Sequence, residues 1–211
     1  MTRTQSSLAV AAIMAATMAG PASAADSGWY VGAGGGWSQA RGGAAAIDPN
    51  ITAEGAVTSL HDKDAAWQLY GGYQFNPNFA LEGGYVNLGK FSVSHTVTGG
   101  TEYDEVKPEC WHLSAVGILP LGKNFSLLGK AGVCAWNDHP GQRVPAGFVE
   151  PAPVPAPVPL GSSGTDLTYG LGAQYDFSPN WGMRAGWDRF PNVIHHHNAV
   201  DLFSASVNYK F

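Results

Sequence analysis

Beyond residue 24 the sequence has no apolar run long enough to cross a bilayer as a helix, which excludes a helical membrane protein. Charge is sparse, at 13% of residues, and it is unbalanced, with 11 basic residues against 16 acidic ones. A chain without a basic face lacks the electrostatic footprint of a nucleic-acid binder, so no nucleic-acid partner is expected. A phosphate loop is missing too. In "GAGGGW" the G-x-G-x-x-G spacing fails at Trp37 and no helical pattern follows, so these glycines are read as letting a strand bend and pack. No cofactor site is expected.

What is present begins with an export signal. Arg3 supplies a positive start, Leu8 to Met18 an apolar stretch rich in Ala, Met and Val, and Ala22-Ser23-Ala24 a cleavage site. The run is too short for a membrane anchor and is followed by Gly20-Pro21, so residues 1–24 are read as a signal peptide. Cleavage there removes Arg3 and leaves ten basic and sixteen acidic residues, a formal charge of −6. Export also permits the two cysteines to pair.

Residues 25–211 carry short segments of alternating character. In Trp67–Phe75 one parity holds Trp67, Leu69, Tyr73 and Phe75, and the other holds Gln68, Gly72 and Gln74. Period two makes this a strand with one apolar and one polar face. Phe79, Leu81 and Tyr85 oppose Glu82 in the same way in the next segment. Eight strands are expected, near 29–40, 64–75, 79–90, 110–121, 125–136, 166–177, 181–190 and 199–211.

The connections alternate in length. Asn76-Pro77-Asn78, Gly122-Lys123-Asn124 and Ser178-Pro179-Asn180 read as tight turns. The segments near 41–63, 91–109, 137–165 and 191–198 read as longer, irregular loops. The Pro-rich run "VEPAPVPAPVPLG" (Val149 to Gly161) falls in the third of them, because the fifty residues after it are too few for an independent core. Short turns on one side and long loops on the other, joined by strands of about ten residues, define an all-β, eight-stranded antiparallel transmembrane β-barrel with short periplasmic turns and long extracellular loops. Such a barrel belongs in the outer membrane of a Gram-negative cell, with outer-membrane lipids and lipopolysaccharide as its surroundings.

Aromatic placement agrees with a bilayer. Tyr73, Phe75, Phe79, Phe125, Tyr175, Phe177, Trp181, Tyr209 and Phe211 cluster beside the tight turns as one interfacial girdle. Trp37, Trp67, Trp111, Trp136 and Trp187 are expected at the other. The polar parity, with Gln68, Gln74, Glu82, Lys130, Gln174 and Arg184, is expected to fill the lumen and leave no wide channel.

The stretches "GWYVGAGGGWSQ" (Gly28 to Gln39), "YGGYQFNPNFALEGGYVNLG" (Tyr70 to Gly89), "LGKAGVCAW" (Leu128 to Trp136) and "YDFSPNWGMRAGWDRF" (Tyr175 to Phe190) resemble the transmembrane domain of the outer-membrane protein A (OmpA) family. Tyr209-Lys210-Phe211 is similar to the terminal aromatic signal by which such barrels are recognised by the barrel-assembly machinery. The family often adds a peptidoglycan-binding domain; here the sequence stops at Phe211, so peptidoglycan binding is not expected. The resemblance implies an inward ion pair at Glu82 and Arg184. The family's competing Lys falls on Val116 and its second Glu on Gln174, which implies a static pair with no competitor.

The hairpin turn near Gly122 and Lys123 places opposed residues at position sums of 244 or 245. Cys110 and Cys134 sum to 244 and share the inward parity, so a disulfide between them is expected. His195-His196-His197, with His61, His95 and His139 in other loops, lacks a defined ligand spacing, so no specific metal site is expected.

Three functions fit these features. The first is a structural barrel of the OmpA or porin-like type, with at most a narrow lumen and small-solute conductance. The second is a surface adhesin or loop-mediated binding module whose ligand the sequence does not name. The third, a lipid A-modifying enzyme, has only Ser204, Ser206 and the histidine run to draw on, with no base–orienter pair; no catalytic residue is assigned.

Overall fold

The computed structural model describes residues 27–42, 56–97, 100–143, 163–194 and 198–211. Residues 1–24, read as a signal peptide, and the Pro-rich run lie outside these residues, as do His195 to His197. Among the described residues every regular element is a strand: β1 (Gly28–Ala40), β2 (Ala56–His61), β3 (Lys63–Asn76), β4 (Phe79–Asn87), β5 (Phe91–Val97), β6 (Gly100–Pro120), β7 (Phe125–Arg143), β8 (Ser163–Asp176), β9 (Trp181–Ile194) and β10 (Asn198–Lys210).

Eight of these form a closed antiparallel ring in the order β6-β4-β3-β1-β10-β9-β8-β7, closed again onto β6. The first and last strands meet along Tyr30↔Lys210 to Ala40↔Val200, so no ladder edge is left open there. That closure is what lipid demands, since the bilayer core offers no partner for an unpaired backbone group.

The two extra segments continue barrel strands above the membrane. Asp62 separates β2 from β3, and residues 88–90 separate β4 from β5, while β2 pairs β5 and β5 pairs β6. The break at Gly89 is local chemistry. Gly89 sits at φ 80°, Asn87 Oδ1 accepts its N–H at 3.0 Å, and the Lys90 N–H reaches Asp64 at 2.6 Å.

Ladders therefore extend into all four connections expected to be irregular: 56–61 within 41–63, most of 91–109, 137–143 and 163–165 within 137–165, and Ile194 with Asn198 within 191–198. The outward face of β6 there meets water instead of lipid, so it carries Glu105, Lys107 and Glu109 and loses the apolar alternation that marks a strand in the bilayer. The inward parity persists, as in the opposed and buried Phe91 and Val106.

Large apolar side chains cover the outside. Leu167 and Leu171 are 72% and 64% exposed, which suits a lipid-facing wall and no other solvent. Trp29, Tyr73, Phe75 and Phe79 touch in sequence at one mouth, and Trp181, Tyr209 and Phe211 continue the girdle. At the other end Trp67, Tyr85 and Trp111 form a run, and Trp37 stacks on Phe203. Trp136 departs from the expected girdle. It shares the parity of buried Cys134, packs inward, and donates from Nε1 to Asp166 at 2.7 Å.

Candidate functional site: a layered, filled lumen

The inward parity is not uniformly polar. Near the extracellular end it carries an apolar layer that includes Val86, Leu88, Phe91, Val106, Phe190 and Leu202. Nearer the periplasm a second layer holds Tyr30, Tyr70, Ala80, Val116 and Leu128. Between them lies a charged layer of Glu82, Arg184, Lys130 and Asp188, with His112, Gln68 and Ser114 around it. Glycine makes room for it. A Cβ at Gly32 would collide with the Tyr70 ring, and one at Gly170 with the Asp188 carboxylate.

Glu82 is fully buried and accepts from Arg184 Nη1 at 2.6 Å and from the Tyr30 hydroxyl at 3.0 Å, both on Oε2. Gln174 Oε1 accepts from Arg184 Nε at 3.3 Å and Nη2 at 3.2 Å. The guanidinium carbon sits 4.9 Å from the centre of the Tyr70 ring and 5.8 Å from that of Tyr30. Charge, hydrogen bonds and ring faces thus all hold Arg184 in one pose.

The expectation of a pair without a competitor is corrected. Val116 faces Lys130 across the β6–β7 ladder, so the cation missing at 116 arrives from the adjacent strand. Lys130 Nζ lies 3.0 Å from Asp188 Oδ1 and 3.6 Å from Glu82 Oε1, an oxygen with no hydrogen bond of its own. Asp188 in turn supplies the second acid that Gln174 lacks. Two acids and two bases make a layer of zero formal charge, which is what burial in low dielectric requires. Lys130 and Asp188 sit on β7 and β9, and no local pattern joins them.

The other inward polar residues are spread along the bore. Gln68 Nε2 donates to Ser204 at 2.9 Å, and the Tyr70 hydroxyl bonds Ser206 at 2.9 Å. Gln74 lies at the periplasmic mouth, where Nε2 donates to the Asn76 carbonyl at 3.1 Å. Asp176 and Lys210 pair at 2.8 Å at the same mouth. Voids within the charged layer measure about 10 Å³ each, space for no more than a single water.

Cys110 and Cys134 are bonded, with Cα atoms 5.7 Å apart and both side chains fully buried. The register that suggested the bond is corrected, however. Pro120↔Ser126 sets a sum of 246, so Cys110 faces Trp136 and Cys134 faces His112. The turn centres on Lys123, and the cysteines are diagonal neighbours on one face of the ladder, close enough to bridge.

Among the described residues no group of three or more His, Cys, Asp or Glu is placed to hold a metal ion. His61 is exposed at the rim, and the side chains of His95 and His139 lie outside the described residues.

The fold matches solved outer-membrane barrels. Neisserial surface protein A aligns with a TM-score of 0.54 at 15% identity, covering 87% of this chain and 97% of that one. Ail, the attachment invasion locus protein of Yersinia pestis, aligned from its complex with the heparin analogue sucrose octasulfate, gives 0.49 at 16% identity over 88% and 97%. The N-terminal β-barrel domain of Pseudomonas aeruginosa OprF gives 0.48 at 13% over 89% and 98%. No curated protein sequence matches the chain. The family model for the OmpA-like transmembrane domain matches residues 24–211, and the chain belongs to that family of outer-membrane β-barrels.

Proposed function

We propose that this protein is a structural outer-membrane barrel whose filled lumen passes small solutes at most. The observation that carries the reading is the layered bore. A neutral four-charge network lies between two apolar layers, with voids of only about 10 Å³. The buried Glu82–Arg184 pair is read as a structural clamp across the lumen, since breaking it strands a charge. The ring pair of half-buried Tyr209 and exposed Phe211, 5.1 Å apart at the end of β10, is read as the signal for the assembly machinery. A deletion strain should become sensitive to detergents and large antibiotics, and the intact chain should restore resistance. Unchanged sensitivity on deletion would overturn the structural role.

A second reading is favoured by the height of the wall. The 19 residues of β7 at about 3.3 Å each, tilted by about 40°, rise roughly 48 Å against an apolar band of about 25 Å. Much of the ladder therefore stands outside the membrane and can present loops to a partner. Removing residues 144–162 separates the two readings: envelope integrity should persist, whereas a binding module would lose attachment to surfaces or cells. Catalysis is not proposed. Ser204 and Ser206 face the lumen, bonded to Gln68 and Tyr70, while a lipid A-modifying enzyme needs its nucleophile on the outer wall.

A further inference from the structure

On one side of the wall, five outward positions follow one another along a single row of the ladder, which climbs with the strand tilt from Tyr169 to Lys63: Lys63, Gln39, Asp201, Arg189 and Tyr169, on β3, β1, β10, β9 and β8. Two residues nearer the periplasm the same strands present Ala65, Trp37, Phe203, Trp187 and Leu171. On β1, β10 and β9, where Trp37, Phe203 and Trp187 lie one step below Gln39, Asp201 and Arg189, this change from rings to charges marks where the hydrocarbon of the outer leaflet gives way to headgroups.

Asp201 is fully buried although it lies on the outer face, because two guanidinium groups cover it. Arg189 donates from Nε to Oδ1 at 2.6 Å and from Nη2 to Oδ2 at 2.9 Å. Arg41 donates from Nε at 2.7 Å, with its Nη2 2.6 Å from the same Oδ2. Arg189 also lies over the Trp187 ring at 5.3 Å, and the Arg41 backbone N–H is tied to the Ala199 carbonyl at 2.8 Å. The forks are therefore held in place before any ligand arrives.

One carboxylate leaves one of these two positive charges over. Each arginine has five N–H donors and directs only two groups at Asp201, and the Arg41 side chain is 54% exposed. Exposed Lys63, opposite Gln39, adds a cation, and Asp62, which accepts from Gln39 at 3.3 Å, adds an acid. The five groups sum to one positive charge. The opposite wall differs. On β4, β6 and β7 the outward row Asn87, Glu109 and Asn137 holds no arginine, and Lys90 and Lys107 above it are both engaged by Glu105.

We propose that Arg41 and Arg189, oriented by Asp201, form a binding site for a phosphate on the headgroup of an outer-leaflet glycolipid. Bidentate arginine forks suit phosphate, and the rings of Trp37, Phe203 and Trp187 just below suit the first methylenes of its acyl chains. The proposal rests on the chain standing in the outer membrane as a barrel, and it names which lipid group the wall selects.

The test is native mass spectrometry of the refolded chain in neutral detergent, titrated with bisphosphoryl lipid A. Binding should weaken at least tenfold for R41Q/R189Q and stay within twofold for K90Q/K107Q on the opposite wall. Dephosphorylated lipid A should bind the unaltered chain at least tenfold more weakly. Inorganic phosphate should compete only at concentrations far above that of the lipid. Lipid A binding that survives R41Q/R189Q, indifference to dephosphorylation, or displacement by equimolar inorganic phosphate would each overturn the proposal. Should R41Q/R189Q fail to refold, the dephosphorylation and competition arms on the unaltered chain decide it. Mobility of unboiled samples reports the barrel separately, so loss of the lipid site leaves that reading standing.

Discussion

Glu82 answers to Arg184, Tyr30 and Lys130 together, whereas Arg184 has Glu82 as its one paired carboxylate within the charged layer. The two alanine substitutions are therefore unequal. Glu82→Ala leaves Arg184 buried with only Gln174 and two ring faces, and a loss of about 3–5 kcal/mol in urea unfolding is expected. Arg184→Ala leaves Glu82 within reach of Lys130 and should cost less. The double substitution should cost less than the sum, since the partners share one interaction. Additive losses would mean that the two charges do not meet in the folded barrel. Glu82 and Arg184 were legible because each stands on a strand whose local motif marks it as inward. Lys130 as competitor was not, because its closeness to Asp188 depends on how β7, β8 and β9 align in three dimensions.

At the scale of the element, period two and turn residues made the membrane-spanning strands legible. Register and the height of the rim were less so. A hairpin turn can close with several loop lengths, and the difference between sums of 244 and 246 is one residue of the turn around Lys123. Peptide mapping without reductant should recover Cys110 and Cys134 in one linked fragment; two alkylatable thiols would contradict the bond. Replacing both with alanine should still yield a barrel, destabilised by about 3 kcal/mol through the freed 24-residue segment.

The rim also carries a pH-dependent contact. Glu105, above the polar level marked by Glu109, is bound by Lys107 at 2.8 Å and Lys90 at 3.3 Å. The Lys107 hydrogen bond, aided by Lys90 and opposed by partial burial, holds its carboxyl below the usual carboxylate range. A depressed carboxylate stabilises the fold above its unfolded pKa, near 4.3, and that contribution is lost as pH falls through the folded value. Exposed pairs of this kind are weak, so the effect belongs to β5 and not to the barrel. Amide protection in residues 91–97 should fall more on acidification in the parent than in Glu105→Gln. Equal pH dependence in both would show that the contact does not tie β5 down.

For the whole molecule, closure of the ladder and filling of the bore act together. A ring without a free edge must lose its hydrogen bonds cooperatively, so the refolded chain should keep a distinct mobility in SDS until boiled. Identical mobility before and after boiling would contradict a closed ring. Alternation, aromatic girdles and alternating connection lengths made this closure readable from the sequence. The apolar layers on either side of the charged layer were less readable, because Leu202 and Val200 share a parity with the polar Ser204 and Ser206. Those layers carry the central claim, that the lumen is plugged from wall to wall. Planar-bilayer recording of the refolded chain tests it most directly. The filled bore should give no opening beyond a small, single-level conductance, and Glu82→Ala or Lys130→Ala should raise it by loosening the charged layer. A large steady conductance in the unaltered chain, comparable to that of an open porin, would contradict the account.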